Sequence, residues 1–207
     1  MKYIDLSHEI KKEMPVYPGD KEVSLVKEND YIENGYNSFS ISTEMHVGTH
    51  IDAPLHMQKN KNYIADYPIE RFIGNVALLD VRGEKVIDVK DEYYISIKEN
   101  DIVLLFTGWD NFYGKKEYFN DHPVVSMELA ELLIKKKIKM LGMDMPSPDS
   151  DNYEIHNILF ENDIFLLENL TNLNKLLYNE EIQLFAQPLK VQAEASLVRA
   201  VAIYQGY

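Results

Sequence analysis

The run His46-Val47-Gly48-Thr49-His50-Ile51-Asp52-Ala53-Pro54-Leu55-His56 holds three of the chain's six histidines and an aspartate. Neutral imidazole nitrogen and carboxylate oxygen are the donors that bind Zn²⁺ or Mn²⁺, so the segment reads as a metal site. His46 and His50 are four apart, the spacing of one helix face. Gly48, β-branched Thr49 and Ile51, and Pro54 argue against a helix through the segment. A strand ending near His46 and a turn at Gly48 would instead bring His50 and Asp52 back beside it, with Pro54 directing His56 into the same pocket. Two imidazoles and a carboxylate leave open positions on an ion, the arrangement that lets a bound water act as nucleophile. His56 is then free for proton transfer. A closed structural site is the alternative for the same donors, although structural zinc in a cysteine-free domain is less usual.

A second, weaker pair lies downstream. His156 is followed twelve residues later by Glu168, at the end of the apolar run Asp163–Leu167. Polar groups just past a buried strand are where α/β proteins place ligands and catalysts.

The elements that must position these groups follow from patterning. Ser38–Val47 alternates, with Phe39, Ile41, Thr43, Met45 and Val47 on one face; this predicts a half-buried strand carrying His46 on its polar side. Asn75–Val81, Asp101–Phe106, Lys139–Met143 and Asp163–Leu167 are continuous apolar runs, the signature of strands covered on both faces. Ile182–Pro188 and Leu197–Tyr204 read as closing strands. Ser126 is placed to cap a helix through Lys136, with Glu128 in its first turn and lysines in its last. Tyr153–Phe160 and Thr171–Leu177 are shorter helix candidates. Strands and helices mixed in 207 residues predict one α/β domain with a mixed sheet.

Composition narrows the function classes. A formal net charge of −13 disfavours nucleic acid and anionic membranes as partners, since phosphate binding needs clustered Lys and Arg. The chain has no cysteine, which excludes disulfides and thiolate metal sites. No signal peptide or membrane-spanning run is visible, so a cytoplasmic location is expected.

The segment His46–His56 resembles the HxGTHxDxPxH signature of the cyclase family, whose best-characterised members are bacterial kynurenine formamidases. The resemblance runs along nearly the whole chain. It includes Asp5-Leu6-Ser7-His8, Pro15-Val16-Tyr17-Pro18-Gly19-Asp20, Leu105-Phe106-Thr107-Gly108-Trp109, Leu141-Gly142-Met143-Asp144, Pro146-Ser147-Pro148-Asp149 and Pro188-Leu189-Lys190. It implies a swivelling β/β/α fold over residues 1–207 and a divalent metal, often a zinc pair. His46, His50 and Asp52 would hold the first ion. Asp52 would bridge to a second, completed by His156 and Glu168, and His56 would be the general acid/base. Some relatives, such as isatin hydrolases, use a single manganese ion, so metal number and identity stay open. Homodimers or larger homo-oligomers are common in the family.

The implied activity is metal-dependent hydrolysis of N-formyl-L-kynurenine to kynurenine and formate, with a small molecule as the partner. The alternatives are another small cyclic amide or lactone, or a non-catalytic metal-binding protein of the same fold. In kynurenine formamidases a tryptophan that stacks on the substrate's aryl group usually stands where this chain has Tyr17; tyrosine offers a smaller face with a polar end. Trp109 and Phe112 are candidates for apolar pocket surface or for core. Asp144, Asp149 and Asp151 form an acidic loop with either an ion-binding or a turn-forming role. His122 is expected at the surface, His8 either near the site or without a role, and Arg199 paired with a carboxylate.

Overall fold

Period-two alternation inside uninterrupted apolar runs decides the architecture. The computed structural model describes residues 1–59, 61–150 and 152–205. Its strands are β1 (Lys2–Asp5), β2 (Ser24–Asn29), β3 (Ser38–Ser42), β4 (His50–Asp52), β5 (Ile73–Asp80), β6 (Val86–Ile87), β7 (Ile102–Phe106), β8 (Val124–Val125), β9 (Met140–Met143), β10 (Phe165–Glu168), β11 (Gln183–Pro188) and β12 (Ala195–Tyr204). The helices are α1 (Tyr31–Asn34), α2 (Tyr93–Ser96), α3 (Met127–Lys135) and α4 (Glu154–Glu161).

In β7, Ile102, Leu104 and Phe106 enter one apolar cluster, while Val103 and Leu105 enter another on the opposite face. β10 divides the same way, with Phe165 and Leu167 on one side and Leu166 on the other. The continuous runs are therefore strands buried on both faces, as expected from the sequence.

Eight strands form one mixed sheet in the order β1-β12-β11-β5-β7-β9-β10-β4. β5, β7, β9 and β10 run parallel, and the remaining pairings are antiparallel. The ten-residue β12 pairs with β11 through Val198–Ile203 and with β4 through Ala195–Leu197, which closes the sheet into a barrel. One apolar cluster fills its interior. The other lies between the sheet and α3 and α4, where Leu129, Leu133, Leu159 and Phe160 are buried. Ser126 caps α3 by accepting a hydrogen bond from the Leu129 N–H at 3.0 Å, as its sequence predicts. Thr171–Leu177 is not a helix: it holds a single 3₁₀ turn, Leu173–Leu176, after Asn172 in the left-handed region.

The segment Ser38–Val47 corrects its own pattern. The strand stops at Ser42, and His46 lies in a turn outside it. β3 pairs only with β2, in a two-stranded hairpin. Phe39 and Ile41, read from alternation as a buried face, are 61% and 54% exposed. Alternation reports that one face is apolar; whether another layer covers that face is a tertiary fact.

Candidate metal centre and active site

Strand β4 is three residues long and entirely buried, and its parity builds the centre of the site. Ile51 points into the barrel core, so His50 and Asp52 project together from the other face, towards α4. Glu168, the last residue of β10, stands directly opposite His50 in the antiparallel register. Cross-strand neighbours of this kind share a face. α4 supplies His156 from above, and the 3₁₀ turn Pro54–His56 returns the His56 ring to 4.3 Å from that of His46, centroid to centroid.

The turn at Gly48 is present, with φ +62°. The positive φ favours glycine; a Cβ there would also sit 2.9 Å from Met14 Cε, a flexible side-chain end that would have to shift. His46, His50, Asp52, His56, His156 and Glu168 line one cavity of about 270 Å³, together with Tyr17.

Two donor groups within it have metal-binding geometry: His46, His50 and Asp52, and Asp52, His156 and Glu168. Asp52 belongs to both. His50 Nε2 lies 3.3 Å from Asp52 Oδ1 and 3.5 Å from Glu168 Oε2, and His156 Nε2 lies 3.5 Å from Glu168 Oε1. Yet His50 Nε2, Asp52 Oδ1 and Glu168 Oε1 are buried without a hydrogen-bond partner among the described residues. Orphaned buried polar atoms are costly. Donors that share a tetrahedral ion at about 2.0–2.2 Å stand roughly 3.3–3.6 Å apart, the spacing of these three pairs; only His46 Nδ1, at 2.9 Å from Asp52 Oδ1, stands closer. The residues fit a divalent metal.

The charges agree. Burial opposes ionisation of Asp52, but His46 and His50 hold its carboxyl well below the usual range. Burial likewise works against protonated His46 and His156. For His46 the effect of Asp52, Glu168 and Glu194 prevails, and for His156 that of Asp149 and Glu168; each ring is pushed up to about 9. The cluster thus draws positive charge to itself. His56 goes the other way. Burial, helped by the nearby His46 and His156 and opposed by Asp52, lowers its pKa, which keeps the ring neutral at neutral pH.

Three supporting groups were not identified as such in the sequence. Asp149, expected either to bind an ion or to shape a turn, accepts from the Ile155 and His156 N–H groups at 2.8 and 2.9 Å and contacts His156 Nδ1 at 2.7 Å. One carboxylate therefore caps α4 and aims His156 Nε2 at Glu168. Asn169, at φ +55°, donates from Nδ2 to the Gly48 carbonyl and accepts from the Tyr118 hydroxyl, while His50 Nδ1 bonds the same carbonyl at 2.8 Å. Glu194 lies 3.3 Å from His46 Nε2. An asparagine directly after a strand-end ligand was a usable signal, since Asn tolerates the left-handed region. Nothing in the sequence tied Glu194 to His46.

Other candidates lie elsewhere. Trp109 and Phe112 do not line the cavity; Trp109 packs on the α3/α4 core and donates to the Tyr118 carbonyl, and Phe119 and Tyr153 form the apolar rim instead. Asp144 spends its oxygens on Thr107 and Gly108, and burial raises its pKa to about 6. Asp151 falls outside the described residues. His8 stacks on Tyr113 at 3.7 Å, His122 is half-buried against the Pro123 carbonyl, and Arg199 forms a bidentate pair with Asp5.

Comparison with known proteins places the chain. Kynurenine formamidase of Bacillus cytotoxicus is 32% identical over 96% of each chain, and that of Bacillus anthracis 31% over 97% of this chain and 96% of its own. Isatin hydrolase A of Labrenzia aggregata superposes with a TM-score of 0.88 at 23% identity, covering 99% of this chain and 94% of that one. Residues 4–150 match the Cyclase family, described as putative cyclase. That match takes in the whole His46–His56 segment and most of the chain, which belongs to the cyclase family.

Proposed function

We propose that this protein is a metal-dependent amide hydrolase that cleaves N-formyl-L-kynurenine to kynurenine and formate. The observation that carries the reading is the set of orphaned, convergent donors at His50, Asp52 and Glu168, with neutral His56 beside them in a substrate-sized cavity. The kynurenine formamidases that match 96–97% of the chain support the substrate.

His46, His50 and Asp52 would hold one ion, and Asp52, His156 and Glu168 a second. Imidazole and carboxylate donors suit zinc, with manganese the alternative. A divalent metal here supplies an activated water at neutral pH and polarises the formyl carbonyl. The protein's own part is to orient and to move protons. Asp149 and the Gly48 carbonyl set the tautomers of His156 and His50. His56 takes a proton from the attacking water and delivers it to the aniline nitrogen as the C–N bond breaks, so that a neutral amine leaves with formic acid. The acid then ionises to formate and releases a proton to solvent. Tyr17 and Phe119, edge to face at 5.7 Å, offer an aromatic wall for the substrate ring.

The test is hydrolysis of N-formyl-L-kynurenine by protein reloaded with zinc or manganese, against a chelated control. Metal-dependent turnover is expected. A folded, metal-loaded protein that leaves this amide intact while opening a cyclic amide such as isatin would overturn the substrate and keep the hydrolase. Loss of His56 with no effect on turnover would remove the acid/base role.

We also expect a homo-oligomer acting in the cytoplasm. Phe39 and Ile41, apolar, exposed and on one face of the β2–β3 hairpin, support self-association. Among the described residues no helix is long and apolar enough to cross a membrane. A monomer by light scattering at micromolar concentration would refute the oligomer.

A further inference from the structure

The three carboxylates that line the cavity among the described residues are not equivalent. Asp52 and Glu168 lie against imidazoles, as described above. Asp20 also lines the cavity, half-buried, and its carboxylate makes no hydrogen bond or ion pair among the described residues. It follows the turn Tyr17-Pro18-Gly19, in which the Asp20 N–H donates to the Tyr17 carbonyl at 3.0 Å and Gly19 takes φ +105°. That turn places an anion and an aromatic ring on the same wall, with Phe119 edge-on to Tyr17. No lysine or arginine lines the cavity among the described residues.

A carboxylate in a partly desolvated pocket gains most from a cation that arrives with the ligand. The aromatic faces beside it favour the same charge. A ligand anion would meet no lysine or arginine there among the described residues.

We infer that Asp20 is a specificity-determining residue that binds a primary ammonium on the substrate's side chain. The site then takes aryl formamides bearing an amine, with any substrate carboxylate turned towards solvent. This rests on the formamidase reading and narrows it. Geometry supports a division of labour: the floor of histidines and carboxylates acts on the formyl amide, and the Tyr17–Asp20 turn reads the far end of the molecule.

The experiment is calorimetric binding of L-kynurenine and of its des-amino analogue, 4-(2-aminophenyl)-4-oxobutanoate, to the metal-loaded protein and to its Asp20→Asn variant. The wild type is expected to prefer L-kynurenine by roughly 10- to 100-fold, the scale of one hydrogen bond to a charged group. Asp20→Asn should abolish that preference and bind the analogue as the wild type does; Asp20→Glu should restore part of it. Equal affinity of the wild type for the two ligands, or binding of neither, overturns the proposal. So does a variant that weakens both ligands equally, which would mark Asp20 as a turn residue only. Hydrolysis of the formyl compounds is read separately. A protein that prefers the ammonium ligand but cleaves no formamide would refute the formamidase reading and leave the ammonium contact standing.

Discussion

The segments 46–56 and 149–169 both bring histidine and carboxylate to the same cavity, three histidines and Asp52 from the first and His156 and Glu168 from the second, but they hold them differently. In the first, the ligands follow one another along a turn, a three-residue strand and a 3₁₀ turn. His46, at its outer edge, keeps 23% of its side chain exposed and is steadied by other members of the site, Asp52 at 2.9 Å and Glu194 at 3.3 Å. In the second, His156 and Glu168 come from a helix and a strand, both buried; Asp149 holds His156 from behind, and Asn169, just past Glu168, ties this segment to the Gly48 carbonyl of the first. The first segment concentrates the chemistry and the second supplies rigidity. A metal that needs both would be fastened by the second and exposed to substrate at the first.

The largest effect should come from the one residue the two halves share. Asp52 belongs to both donor groups, so Asp52→Ala should bring metal content and turnover to background together. Elemental analysis of the purified variant checks this; a full complement of metal would break the assignment. His56→Ala should separate the two properties. It is expected to cost roughly 10²–10⁴ in kcat, the usual worth of an acid/base group, with metal content intact.

The asymmetry itself is tested by the supporting carboxylates. Asp149→Asn keeps the shape but withdraws the anion from His156 Nδ1 and from the α4 N-terminus. Metal affinity should fall by roughly 10–100-fold, measured by competition with a chelating dye. Glu194→Gln should do less, because Glu194 is more than a third exposed and His46 retains Asp52. If Glu194→Gln weakened metal more than Asp149→Asn, the division into a rigid half and an open half would be wrong.

The same contrast explains what could be read from the chain. The first segment is local, so its residue types and its Gly and Pro punctuation displayed the site directly. Glu168 was visible only as a polar residue ending an apolar run. Its pairing with His50 is a matter of register between strands more than a hundred residues apart, and a single sequence carries no such information. The buried strands were legible because burial on both faces leaves an uninterrupted apolar run. The β2–β3 hairpin misled for the complementary reason: alternation in Ser38–Val47 is real, but Phe39 and Ile41 are left more than half exposed. Asp149 looked like a turn residue because its capping role exists only once α4 starts at Glu154.

The smallest effect concerns what steadies the first segment from outside. The His8 N–H donates to Thr49 Oγ1 at 2.9 Å, next to His50, and the His8 ring stacks on Tyr113 with Nε2 buried and without a hydrogen-bond partner among the described residues. Burial lowers the pKa of His8 to about 4, outweighing the pull of Asp110 in the other direction. The unfolded chain, with histidine near 6.5, therefore binds more protons than the folded one between pH 6.5 and 4. Stability from this group is complete above pH 6.5 and is lost as pH falls through that window. His8→Phe keeps the stack and removes the titration, so the fall in Tm between pH 6.5 and 4 should be shallower than in the wild type. Thermal unfolding at half-unit pH steps measures it. Parallel Tm curves would mean that His8 is not held neutral by its burial, and that the first segment's anchor to the N-terminus is insensitive to acid.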